Sequence, residues 1–145
     1  MHSPLTRRVV ALALGTIVVA AGLVVHAFFP GGFTSDAVGD ILYAVLMYLL
    51  VVLVAPRAHP LLAGAIALAW CAAVEFFQLT GLPEAWAVAF PPLVLVFGTV
   101  FGAQDLAMYA VGIAGASVLD LVIKSLAGSG RRVEAETVPP PEEFP

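Results

Sequence analysis

The six basic residues of this chain fall only at alternate breaks between long apolar runs. Arg7 and Arg8 precede the first run, Arg57 separates the second from the third, and Lys124, Arg131 and Arg132 follow the last. The remaining breaks hold Asp36, Asp40, Glu75, Glu84 and Asp105, with no cation among them. Loops on the cytoplasmic side of a membrane collect Lys and Arg. The pattern predicts an all-α polytopic membrane bundle of four transmembrane helices. Its N- and C-termini are expected in the cytoplasm, under a cell membrane, with a layer of acids near the outer face.

Composition bounds what else is possible. The chain is 61% hydrophobic and 11% charged, whereas a soluble domain is about half apolar and about a quarter charged. A transmembrane helix takes about 20 apolar residues, so 145 residues allow four or five spans and no separate soluble domain. Membrane lipids are the expected surroundings, and a membrane protein partner is compatible with them. No basic patch offers itself to nucleic acid. No Walker loop, GxGxxG, HExxH or GxSxG occurs, and no cofactor is expected. The single cysteine, Cys71, lies mid-span and excludes an intramolecular disulfide; it reads as a small packing residue. The N-terminus imitates a signal peptide. However, its apolar run over 9–29 is longer than a usual h-region and ends in Phe28-Phe29-Pro30-Gly31-Gly32, so it reads as a retained helix.

Breakers set the boundaries. Spans are expected over residues 8–29, 35–55, 60–79 and 104–126. Pro30 and Gly31 close the first, and Ser35 or Asp36 caps the second. Pro56 ends the second, and Pro60 suits the first turn of the third. The apolar stretch 86–101 is too short to cross comfortably and carries Pro91-Pro92, which costs backbone hydrogen bonds in a helix. Were it to cross, the basic residues would split three and three between the two sides; otherwise all six share one side. It is therefore expected to be a re-entrant or interfacial segment, with Trp86 as an anchor. The membrane domain then covers 1–127. Residues 128–145, with Arg131, Arg132, four glutamates and Pro139-Pro140-Pro141, read as a disordered cytoplasmic tail.

Helical phasing places polar groups on inward faces. At about 100° per residue, Ala11, Gly15, Gly22 and His26 share a face in the first span, and Asp40, Tyr43 and Met47 in the second. Gly64, Cys71, Glu75 and Gln78 share one in the third, and Asp105, Tyr109, Gly112 and Ala116 in the last. Small residues permit close helix approach, so these faces point inward. His26, Asp40, Tyr43, Glu75, Gln78, Asp105 and Tyr109 come to similar depth and form one candidate polar network. Three neighbouring acids in lipid do not all stay ionised unless a cation joins them.

The members differ in how easily a structural role accounts for them. Asp40 and Asp105 lie near helix N-termini, where a carboxylate is stabilised by the helix dipole. Glu75 lies near a C-terminus, where the dipole opposes it, and so it has the strongest claim to function. Gln78 and Tyr109 suit interhelical hydrogen bonding. His26 suits an interface and lacks the spacing of a zinc site, so no metal is assigned. Asp120 and Lys124 are spaced for an i,i+4 surface salt bridge.

These motifs resemble known families. Glu75-Phe76-Phe77-Gln78 followed by Asp105-Leu106-Ala107-Met108-Tyr109-Ala110-Val111-Gly112 resembles VanZ-like small membrane proteins. With Gly39-Asp40-Ile41-Leu42-Tyr43-Ala44 included, it resembles more closely the family known as domain of unknown function 2809. The likeness extends over about residues 8–126 and rests on the order of three short blocks. Both families often carry an arginine between the Glu/Gln block and the later Asp; residues 79–104 have none, which removes the cation a phosphate site would use. The VanZ-like Asn has Tyr109 in its place. The VanZ likeness implies a role in the bacterial cell envelope and low-level glycopeptide resistance; the closer family implies no activity.

Three functions fit. The preferred one is a non-enzymatic envelope protein whose outward acidic pocket binds a lipid or amphiphile headgroup, or a partner protein. An intramembrane enzyme acting on a lipid-linked substrate through Glu75, with Asp40 and Asp105, is the alternative. Proton or cation transfer is the third, opposed by the absence of a polar path toward the inner face.

Overall fold

A computed structural model describes residues 3–29, 31–98 and 100–137, with side chains described up to Leu126. Every regular element is helical: α1 (Pro4–Phe28), α2 (Phe33–Val54), α3 (Pro60–Gln78), α4 (Leu82–Ala89), a 3-10 turn (Pro91–Leu93), α5 (Val94–Phe97) and α6 (Ala103–Thr137). Four of them are long and apolar enough to cross a membrane: α1, α2, α3 and α6 as far as Leu126. The chain is a multi-pass membrane protein.

Local chemistry starts these helices. Ser3 caps α1, its Oγ accepting from Thr6 N at 3.1 Å, and Pro4 occupies the first turn. His59 caps α3, with Pro60 next. The second helix differs from its expectation: it begins at Phe33, and Gly32 rather than Ser35 or Asp36 is the N-cap. Asp36 lies instead in the first turn, where its charge still suits the dipole.

Three helices build the core. Packing pairs α2 with α3, α2 with α6 and α3 with α6, whereas α1 packs its backbone on α2 alone. Accordingly α3 buries eight residues and α1 only Ala11. Ala44, Ala63, Ala67 and Cys71 are wholly buried beside Tyr48, Tyr109 and Ile113. Small residues set the spacing, as expected for helices that gain little by hydrophobic exclusion in lipid. A Cβ on Gly112 would lie 2.9 Å from the backbone oxygen of Ile41, and one on Gly64 would lie 2.5 Å from Ser117 Oγ. The inward faces predicted for the third and last spans are those observed. Gly115, in contrast, is exposed. The aromatic and aliphatic side chains left outside, such as Leu12, Ile17, Phe28, Trp70 and Phe76, form a lipid-facing coat.

The ends sort as the charges do. Arg7 and Arg8, at the start of α1, reach the C-terminal end of α2, so α1 and α2 are antiparallel. Gly64 lies against Ile113 and Ser117, whereas Glu75 meets Tyr109, so α3 and α6 are antiparallel as well. Residues 79–102 therefore leave and return at the same end, the one holding Asp40, Glu75 and Asp105. The stretch is broken as its prolines require: α4 ends before Phe90, Pro91 and Pro92 enter the 3-10 turn, and α5 lasts one turn. Trp86, Phe77 and Phe97 pack around one another with centroids 5.4–6.0 Å apart, tying the segment to α3.

The last helix runs further than expected. An unstructured tail is predicted from residue 128, but α6 continues to Thr137. Residues 131–136, with two arginines, two glutamates and an alanine, are largely good helix formers. The first proline beyond them is Pro139, which disfavours helix at the residue before it. Residues 138–145 of the predicted tail lie outside the described residues.

Candidate functional site

Glu75 is the centre of the acidic end. Its side chain is 0% exposed, one turn before the C-terminus of α3. Three donors converge on it: Tyr109 Oη at 2.8 Å, the Gly102 backbone N at 3.1 Å and Gln78 Nε2 at 3.4 Å. A buried acid unsupported by the dipole of its own helix is thus held by neutral donors from α3, from α6 and from the loop before α6. Gln78 Nε2 also donates to Phe97 O at 2.7 Å, and Tyr43 Oη donates to Val96 O at 2.9 Å. Both bonds fasten the broken segment over the cluster. The loop comes this close because it has glycines: Gly98 has φ 62°, and a Cβ there would sit 2.6 Å from Gln78 Nε2.

Asp40 and Asp105 are neighbours, within electrostatic reach of Glu75 and Asp36. Asp105 occupies the first turn of α6 and folds back toward Gly102. Two buried acceptor atoms here find no partner among the described residues, Asp40 Oδ2 and Gln78 Oε1. Among those residues no group of three or more His, Cys, Asp or Glu is arranged to hold a metal ion.

A cleft of about 830 Å³ opens beside this cluster. Its polar lining includes His26, Asp36, Asp40, Tyr43, Gln78, Asp105 and Tyr109, and its apolar lining comes from α1, α2 and residues 94–100. Six of the seven predicted network residues thus lie at one end and in one cluster: Asp40, Tyr43, Glu75, Gln78, Asp105 and Tyr109. His26 lines the same cleft but is exposed, and it makes no hydrogen bond among the described residues. The reason is the packing of α1, whose backbone lies against α2 alone.

The opposite end holds a second cluster that sequence reading missed. Arg7 pairs with Asp120 through a very short contact and also donates to Pro56 O at 2.6 Å and Ala58 O at 3.0 Å. Tyr48 Oη donates to Asp120 at 2.7 Å. The predicted Asp120–Lys124 surface bridge does not form; Lys124 Nζ turns to Ala58 O at 3.3 Å. Arg8 covers Leu53 O and Val54 O at 3.1 and 3.4 Å. Cations at a helix C-terminus satisfy its free carbonyls and its dipole, so these residues close the end of α2. The available signal was Asp120 itself, an acid in the basic half whose partner on another span is more confining than a neighbour on its own helix. The buried apolar residues of α2, α3 and α6 separate the two clusters.

Comparison with known proteins adds one result. No curated protein and no solved structure matches the chain. A family model described as "Protein of unknown function (DUF2809)" matches residues 29–113. That stretch contains Asp40, Tyr43, Glu75, Gln78, Asp105 and Tyr109 with the broken segment between them, and it stops short of Arg7, His26 and Asp120. The match covers more than half of the chain, which belongs to the DUF2809 family.

Proposed function

We propose that this protein is a non-enzymatic membrane protein of the bacterial cell envelope, with its acidic end outward and its termini cytoplasmic, and that its cleft holds the headgroup of an amphiphile. The observation that carries this reading is the make-up of the cleft, whose lining combines polar side chains with apolar ones from α1, α2 and the broken segment. Such a mixture suits a molecule with a polar head and an apolar tail. The location of every described Lys and Arg at the other end supports the orientation, and the VanZ-like motif order supports the envelope setting. The enzymatic alternative asks Glu75 to act on substrate. Its carboxyl is wholly buried and already takes three hydrogen bonds, which favours support of the cleft over chemistry in it.

Gly22 and Gly39 line the cleft and have open space where a side chain would go. Gly22→Phe and Gly39→Phe should therefore fill it and leave the helix packing intact. Wild-type protein released from nanodiscs in native mass spectrometry should carry amphiphile that both variants lose, with unchanged thermal unfolding. Equal retention by all three would end the cleft assignment. Orientation is tested separately. Cys71 is buried, so an added thiol labels against a quiet background. Glu84→Cys should react with an impermeant maleimide in whole cells, and Arg57→Cys only after permeabilisation.

A further inference from the structure

We infer that the headgroup held in this cleft is a cation bearing N–H donors, of which a primary ammonium is the simplest. The inference rests on the amphiphile-binding reading above and names the chemistry of its ligand. Around Glu75 the nearby hydrogens are committed: Tyr109 O–H and Gly102 N–H to Glu75, Gln78 N–H to Phe97 O and Glu75, and Tyr43 O–H to Val96 O. What is left over in the buried part of the cluster is acceptor only, the uncommitted ring N–H of His26 being on an exposed residue of the cleft lining. Asp40 Oδ2 and Gln78 Oε1 are both buried and both without a partner among the described residues, and Gln78 as a whole is only 7% exposed. A buried acceptor without a donor costs about 1–3 kcal/mol, so a site with two of them favours a ligand that brings hydrogens.

Charge narrows the class further. Asp36, Asp40 and Asp105 line the cleft, with Glu75 behind them, and no Lys or Arg is among the lining residues. Arg7, Arg8 and Lys124 are at the far end, occupied with the carbonyls of Leu53, Val54, Pro56 and Ala58 or with Asp120, and Arg57 lies exposed in the loop at that same end. An anionic head would meet repulsion here. A quaternary ammonium would satisfy the charge but bring no hydrogen for either orphaned oxygen. An ammonium with three N–H groups supplies both charge and donors, and charge-assisted bonds of this kind are about twice as strong as neutral ones.

The test compares dodecylamine, dodecyltrimethylammonium and laurate, which share a chain and differ in the head, on the full-length protein in phosphatidylcholine nanodiscs. Retention is read by native mass spectrometry against empty nanodiscs. Dodecylamine should be retained about tenfold more tightly than the trimethyl analogue, and laurate not at all. Asp40→Asn, which keeps the shape and exchanges an acceptor for donors, should erase the preference without lowering the unfolding temperature. Equal retention of the two cations, or preference for laurate, overturns the inference while leaving the amphiphile reading in place. Retention of none of them, with the acceptors served by water, overturns both. Ethylamine displaces the ligand poorly if the tail is part of recognition; displacement as good as dodecylamine's keeps the N–H cation and overturns the amphiphile.

Discussion

The two ends of this bundle each hold a carboxylate away from bulk solvent, and they solve the problem differently. Asp120 has a cation, Arg7, and a tyrosine hydroxyl, Tyr48. Glu75 has a tyrosine hydroxyl, a backbone amide and a side-chain amide, and no cation. The first arrangement neutralises charge and consumes its hydrogen bonds, tying together α1, α2, α6 and the loop between α2 and α3. The second leaves negative charge beside an open cleft and acceptors unserved. One end is closed by its own partners and the other, on the proposed reading, receives a ligand, and the residues that separate the two are the arginines.

Breaking either acid tests this contrast. The largest effect is expected at Glu75. Glu75→Ala orphans the buried Tyr109 hydroxyl and the part-buried Gly102 N–H and takes one of two acceptors from Gln78 Nε2, at about 1–3 kcal/mol for each group left unsatisfied, and should lower stability in detergent by about 3 kcal/mol while abolishing retention of amphiphile. Stability unchanged in chemical denaturation would show that the cluster is not the buried unit described. Next comes Asp120→Ala. Its side chain and that of Arg7 are 19% and 14% exposed, so the loss should fall below that of a fully buried pair, at about 1–3 kcal/mol. The cleft should keep its ligand preference, and Arg7→Ala combined with Asp120→Ala should cost less than the sum of the two. Strict additivity would mean that the pair does not act as one.

Two smaller changes sharpen the same comparison. Gly112→Ala pushes a methyl toward the Ile41 backbone oxygen at 2.9 Å, whereas Gly64→Ala meets the Ser117 hydroxyl, which can rotate away. The first should therefore destabilise more, by about 1–3 kcal/mol as an overpacked contact, and a reversed order in thermal melts would refute the close approach of α2 and α6. The smallest effect is expected from Tyr43→Phe, which removes a single hydrogen bond to Val96 O, worth about 1 kcal/mol. It should loosen residues 94–97, seen as faster amide exchange there, and leave the basic end untouched.

What the sequence made legible follows from which forces act along one helix and which act between helices. Hydropathy and breakers place the four long helices to within a few residues, except for the C-terminal end of α6, because each is a continuous local property. Charge bookkeeping returns residues 79–102 to the end they leave from, which the antiparallel packing of α3 and α6 agrees with. Phasing puts Glu75 and Gln78 on the buried face of α3 and Tyr109 and Gly112 on that of α6. It fails at His26, since a face is buried only if another helix covers it, and the backbone of α1 packs on α2 alone. It fails again at Asp120, where the i,i+4 rule prefers Lys124. Arg7 lies 113 positions away in sequence, and no local pattern relates the two. The orphaned oxygens of Asp40 and Gln78 depend on where the broken segment settles, and nothing short of coordinates reveals that.

One wall of the cleft is fastened only at its foot. The outer half of α1 contributes Val18, Gly22, Val25 and His26 to the lining, yet its polar ties, through Arg7 and Arg8, are all at the opposite end. Tilting that free half outward sacrifices contacts with α2 alone and breaks no interhelical hydrogen bond among the described residues. Such a tilt would unseal the chamber sideways, toward the acyl chains. An amphiphile of the proposed kind, arriving from within the bilayer, would need no passage through water, and its tail would stay in the lipid while its head entered the cleft.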